Sequence, residues 1–211
     1  AALAAVYPGV HLHASTQCSV TTPAGFQALE KMGFRRAVIP REMTAAEIEE
    51  IRRSTQMELE LFVHGALCMC VSGQCYLSSV LGARSGNRGL CAQPCRLPFS
   101  ADASGSCDLS LKDLSLVRHL KKIGDLGVLS LKIEGRMKRP EYTAGVVRIY
   151  RKYVDQYLQY GEENYKVAEA DRRELLLLFN RDGFSEGYYR QHNGKNMMAL
   201  KNAEASEQEK S

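Results

Sequence analysis

The chain lacks most of the features that place a protein at a glance. No apolar run approaches the ~20 residues of a membrane-spanning helix, so no membrane partner is expected. The opening "AALAAVYPGV" has no basic residue ahead of a short apolar run that Pro8 breaks, which makes it a poor secretion signal. Neither G-x-S-x-G nor H-E-x-x-H occurs, so the serine-hydrolase and zincin peptidase signals are missing. There is no tryptophan, no internal repeat and no strong charge excess. A net charge of +4 permits a nucleic-acid partner without arguing for one. The initiator methionine is absent and strand-like sequence begins almost at once, so the chain is expected to be a piece of a longer protein. Without a secretion signal the expected compartment is the cytoplasm. Thiols there serve more often as ligands or redox groups than as disulfides.

What is present is ordinary globular sequence, 211 residues at 45% hydrophobic and 25% charged, enough for one large domain or one domain with an appendage. "GVHLHAS" (9–15) reads as a strand. Thr22 and Pro23 then open a helix that runs to Met32 and stops at Gly33. "RRAVIP" (35–40) reads as a second strand, and Thr44 with Glu47 forms a capping box for a helix to Ser54. "LELFV" (59–63) is the third strand, and the glycine-rich stretch 64–107 follows as a long loop. Leucines at helical intervals predict a helix over 109–123. "VLSLKIE" (128–134) is a fourth strand, and Pro140 starts a long helix over 140–160. Alternation of strand and helix implies an α/β fold of parallel (βα) units. Four such units make half of an eight-stranded barrel or a small open sheet. Residues 166–201 read as a small C-terminal helix and loop or hairpin, and 202–211 as a disordered tail.

Chemistry in parallel α/β folds gathers where the strands end. The first strand delivers His11 and His13 to that rim, the second Arg41 and Glu42, the third His64, and the fourth Lys132 and Glu134 followed by Arg136. One polar residue at a strand end needs no function. Four strands agreeing favour one shared pocket.

Five of the seven cysteines fall between positions 58 and 95. Glycines at 65, 73, 82, 86 and 89 allow such a loop to wrap closely around an object. Zinc sites draw on tight pairs, and only C-x3-C at Cys91 and Cys95 fits that habit, with C-x-C at Cys68 and Cys70 too close. Iron–sulfur clusters also take four thiolates, at wider spacings. Spacing leaves cluster, zinc, and structural or reactive thiols all open. A cysteine nucleophile would need a base, and His64 is the nearest in sequence to Cys68.

Glu60, Phe62, Gly65, Cys68, Gly73, Cys75 and Ser78, in "ELFVHGALCMCVSGQCYLS", follow the signature of the family called peptidase U32, or collagenase-like peptidases. The flanks resemble it too: "HLHASTQCSVTTPAGFQALEKMGFRRAVIPREMTAAEI" before it, then "NRGLCAQPCR", "SLKDL", "KIEGRMKRPEY" and "FNRDGFSEGYY". The resemblance covers about positions 9 to 200. It implies that residues 1–165 form part of a TIM-barrel-like domain, and that Cys68, Cys75, Cys91 and Cys107 hold a [4Fe–4S] cluster. Cys95 is the rival for the fourth place and zinc the rival for the metal. Cys18 and Cys70 are left as packing residues.

Several members of that family hydroxylate RNA or a quinone precursor without oxygen, and the resemblance implies prephenate as hydroxyl donor in the RNA branches. "GRMKRPEY" resembles the RNA-modifying branches. The expected activity is therefore hydroxylation of tRNA or rRNA. His64, Glu134 and His13 are the candidates for catalysis, and Lys132, Arg136, Arg41 and Arg88 for substrate binding. Arg84, Arg96, Lys138 and Arg139 are further cations suited to phosphate or a dicarboxylate. A peptidase, and a non-catalytic cluster-binding scaffold with a protein partner, are the alternatives.

Overall fold

A computed structural model of the protein describes residues 2–100, 106–161, 165–192 and 194–199. The tail expected to be disordered from 202 lies outside them. A short helix α1 (Ala2–Val6) precedes strand β1 (Leu12–Ala14). Helix α2 (Pro23–Lys31) starts where Thr22 Oγ1 accepts the Gly25 N–H at 3.2 Å, with proline in its first turn. Strand β2 (Phe34–Val38) leads to α3 (Ala45–Ser54), whose capping box is complete. Thr44 Oγ1 accepts the Glu47 N–H at 3.3 Å, and Glu47 accepts the Thr44 N–H at 2.7 Å. Strand β3 (Glu58–Gly65) runs into the cysteine loop, which contains the short helix α4 (Leu77–Gly82).

Beyond the loop come β4 (Asp113–Ser115), α5 (Leu120–Asp125), β5 (Val128–Ile133), the long α6 (Pro140–Tyr160), α7 (Glu169–Leu178) and β6 (Phe184–Ser185). Helix α6 packs Tyr142, Val146, Ile149, Tyr150 and Tyr153 into the core. No helix among the described residues is long and apolar enough to cross a membrane.

The sheet is built around β3. Strands β1, β2, β3 and β5 lie side by side and parallel, as strand–helix alternation requires. Strand β4 is antiparallel to the end of β3, pairing His64 with Ser115, and β6 runs parallel to β4. Among the described residues β1 and β5 do not meet, so the sheet is open and the closed barrel is not seen. The helix expected over 109–123 also differs. Its first half forms β4 and a 3-10 turn, and α5 begins only at Leu120. Leucines at 109, 111, 114 and 116 fit helical intervals, but 109 with 111 and 114 with 116 are also spaced as in strands, and an open edge of β3 captures part of the segment as strand. The C-terminal segment resolves into α7 and β6, and Tyr189 is tied to α3 by the Ala45 N–H donating to its carbonyl at 2.9 Å.

The two faces of β3 differ in kind. Leu59, Leu61 and Val63 point into the hydrocarbon core. On the other face Glu58 accepts from Arg36 at 2.8 Å. Glu60 accepts from Lys132 at 2.8 Å and from Ser130 at 3.0 Å. Burial alone would raise the Glu60 carboxyl above its ordinary range, but the bonds from Lys132 and Ser130 and the nearby Arg36 outweigh it and hold it below.

Gly65 ends β3 with φ of 103°, a conformation that L side chains rarely adopt. A Cβ there would lie 2.4 Å from the Glu134 carbonyl oxygen. The residue therefore has to be glycine for the ends of β3 and β5 to pass this closely.

One ion pair sits inside the core. Arg181 donates to Asp113 at 2.5 Å, with both side chains at most 9% exposed, and its other nitrogen reaches Gln93 at 3.0 Å. Removing one partner leaves an uncompensated buried charge. Arg181→Met is expected to destabilise the fold by about 3–5 kcal/mol, read as a fall in urea midpoint. Arg181→Met combined with Asp113→Leu should recover part of that loss.

Candidate functional site

The ends of β1, β2, β3 and β5 open onto one cavity of about 380 Å³. Thr16 and Gln17 reach it from beyond β1, Arg41 from beyond β2, and Glu134 and Arg136 from beyond β5. The cysteine loop forms the remaining wall and contributes Cys68, Cys70, Cys75, Cys91 and Cys95.

The loop is held by protein bonds. Ser72 is the pin. Its N–H and hydroxyl both donate to the Glu42 carboxylate, at 3.0 and 2.8 Å, and its carbonyl accepts the Ser19 hydroxyl at 2.8 Å. Gly73, with φ of 80°, follows so closely that a Cβ would stand 2.6 Å from Ser19 Oγ and 2.9 Å from the Gln17 backbone. Asn87 reaches back to the Gly73 carbonyl at 2.9 Å, which ties the second half of the loop to the first.

Charge in the cavity is arranged around arginines. Arg41 stacks over the Phe62 ring at 3.7 Å and donates to Glu134 at 2.9 Å. The other Glu134 oxygen accepts the Arg136 N–H at 3.0 Å. Arg96 bonds the Leu67 carbonyl, the Leu111 carbonyl at 2.8 Å and Ser110 Oγ at 3.2 Å, bracing the loop against the sheet. Burial pushes the Cys68 thiol above its ordinary value, and Arg41 and Arg96 only partly offset that. Burial also raises the Cys70 and Cys95 thiols.

The predicted site residues divide. Cys68, Cys75, Cys91, Arg41, Glu134 and Arg136 come together at the cavity. Cys95, the rival ligand, lines it as well. Cys107 is not in the wall; it is buried, and its carbonyl accepts the N–H of Ser110, the residue that Arg96 binds. Arg88 is exposed just past the lining residues Gly86 and Asn87. His13 is exposed on β1, in register with Arg36, and Lys132 is engaged with Glu60. Those two belong to the charged face of the sheet and not to the cavity wall. Sequence reasoning singled out Glu42 at the rim but not its bonds to Ser72, a residue 30 positions away with no local pattern to mark it.

His64 is not in the cavity wall either. It is 1% exposed and packed among Tyr142, Tyr150 and Phe184. Tyr150 Oη donates to the Val63 carbonyl at 2.8 Å, so at its 3.2 Å contact with His64 it accepts from Nδ1–H. Nε2 is left buried without a partner among the described residues.

Burial drives the imidazole from its ordinary 6.5 down to about 3. The unfolded chain therefore takes up a proton near pH 6.5 that the folded chain refuses until about pH 3. The stabilisation is complete above pH 6.5 and is lost as pH falls through that window. Denaturation between pH 7 and 5 should show a slope approaching about 1.4 kcal/mol per pH unit, and His64→Gln should flatten it.

Whether the cavity suits a metal group can be judged from its donors. Among the described residues no three His, Cys, Asp or Glu side chains close on a point that would hold a single ion. The thiols instead surround a space, with Cys68, Cys75, Cys91 and Cys95 all on its wall. Thiols bind zinc and iron–sulfur groups alike, and thiols spaced around a cavity fit a polynuclear group.

The chain is 38% identical over 198 residues to tRNA hydroxylation protein P1 of Bacillus subtilis, covering 86% of this chain and 47% of that protein. It is 40% identical over 170 residues to a 23S rRNA 5-hydroxycytidine synthase of Escherichia coli, covering 77% of this chain and 26% of that one. A collagenase of Porphyromonas gingivalis is 32% identical over 201 residues, covering 86% and 48%. The chain thus spans about half the length, or less, of these relatives. No solved structure matches it. A family model described as Peptidase family U32 matches residues 1–199, and the chain belongs to that family.

Proposed function

We propose that this chain is the cluster-binding part of an enzyme that hydroxylates tRNA or rRNA. The observation that carries the reading is the gathering of five cysteines with Arg41, Glu134 and Arg136 where the parallel strands end. Cys68, Cys75 and Cys91 would hold a [4Fe–4S] cluster. The fourth thiolate comes from Cys107, as the family resemblance implies, or from Cys95, which is already on the wall. When bound, such a cluster supplies one-electron transfer or Lewis-acid activation.

The chain's own residues supply the rest. Arg136 offers a guanidinium group to an anionic hydroxyl donor such as prephenate, a dicarboxylate that suits forked N–H groups. Glu134, placed by Arg41, is the carboxylate on the wall and the group suited to hold or pass a proton. Two relatives named for RNA hydroxylation, at 38% and 40% identity, support RNA as the substrate. The open edge of β1 and the charged face of the sheet are what a partial barrel would present, with further strands closing over that face.

Anaerobic purification followed by iron and sulfide analysis should give a brown protein with about four irons, the content of the [4Fe–4S] type, that bleaches in air. Cys75→Ala is expected to abolish the iron, and of Cys95→Ala and Cys107→Ala only one should do so. Full iron content in Cys75→Ala would show that the ligand set is wrong. Mass spectrometry of RNA nucleosides from a deletion strain should reveal the loss of one hydroxylated nucleoside. Unchanged nucleosides together with proteolysis by a colourless, zinc-bearing protein would establish the peptidase instead.

A further inference from the structure

We propose that the mouth of the thiol cavity is a docking site for an unpaired nucleotide of single-stranded RNA, with Tyr76 as the platform on which its base stacks and Arg88 and Arg136 as phosphate contacts. The inference rests on the RNA reading above and assigns that substrate a place on the protein.

Tyr76 directly follows Cys75 and lines the cavity, yet it is 61% exposed. Among the described residues no other ring stacks on it, although six ring pairs occur elsewhere. An aromatic face left open on a cavity wall suits a flat, apolar guest. Met69 and Val71 line the same cavity, 41% and 53% exposed, and carry no charge.

The electrostatics around this apolar mouth are one-sided. Residues 66–100 contain Arg84, Arg88 and Arg96 and no acidic residue. Glu134 is the one carboxylate among the lining residues, and Arg41 neutralises it. The Arg136 guanidinium rests on the backbone of Gly89, where a Cβ would meet its Nη2 at 2.7 Å. That contact brings Arg136 beside the turn that carries Arg88.

An exposed ring on a cavity wall that also carries a guanidinium group is a combination that suits unpaired nucleotides, because stacking accepts any base and the cations track the backbone. Duplex RNA would keep its bases stacked on one another and leave the ring unused. A protein segment would match the hydrocarbon but not the uncompensated positive charge.

The test uses the iron-loaded chain and a fluorescein-labelled single-stranded RNA oligonucleotide, followed by anisotropy at two salt concentrations. Tyr76→Ala should weaken binding roughly ten-fold or more while Tyr76→Phe retains it. Arg88→Ala should weaken binding and lower the salt slope by about one. Iron content should be the same in all three. Wild-type affinity in Tyr76→Ala with iron intact would overturn the proposal, as would failure of the wild-type chain to bind RNA. Binding of duplex RNA as tight as single strands would overturn it as well. Nucleosides from the deletion strain separate the two readings. A nucleoside lost there with RNA binding unmoved by Tyr76→Ala sinks only the docking site. No nucleoside lost sinks the hydroxylase reading, whatever the ring does.

Discussion

The close passage of β3 against β5 organises everything above the sheet. At Gly65 the chain comes within reach of the Glu134 carbonyl, and the Glu134 N–H donates to the His64 carbonyl at 2.9 Å. Two segments far apart in sequence therefore leave the sheet side by side. One continues into the cysteines and the other into Glu134 and Arg136. A side chain at position 65 would push them apart, and the cavity would lose the carboxylate and guanidinium that face its thiols. β4 adds to the constraint by pairing with the same two residues of β3 from its other edge. A buried strand with partners on both edges is a rigid base on which to set a loop.

The loop then needs its own restraints, because it has little regular structure. Glu42 and Ser19 hold Ser72 from two sides, Asn87 ties the second half to Gly73, and Arg96 fastens the last turn to backbone carbonyls. These bonds involve no cysteine side chain. They shape the wall without consuming the sulfurs, which leaves the thiols available to a guest. The same economy holds at Arg41, whose guanidinium lies flat on Phe62 while it orients Glu134.

Much of this was legible residue by residue, for identifiable reasons. Both helix starts at Thr22 and Thr44 could be read because capping is local. The parallel order of β1, β2, β3 and β5 followed from strand–helix alternation. The rule that chemistry sits at strand ends located Arg41, Glu134 and Arg136, but it could not tell which face a side chain takes. His13 and Lys132 therefore went to the charged face, and His64 went into the core among aromatic rings. The segment 109–116 misled because its leucines fit helical intervals, and only the vacant edge of β3 draws part of it into strand. The Ser72 pin was illegible because its partners come from positions 19 and 42. Barrel closure could not be read from four strands, which suit half a barrel and an open sheet equally.

The ion-paired face of the sheet limits what can lie over it. Arg36, Glu58, Glu60 and Lys132 satisfy one another there, and Glu60 retains little contact with solvent. Laying hydrocarbon on that surface would strip the remaining hydration from four formal charges with no new partners in return. Whatever abuts it must bring dipoles or trapped water of its own, so a greasy helix is a poor lid for this side of the molecule and a wet, polar interior a good one.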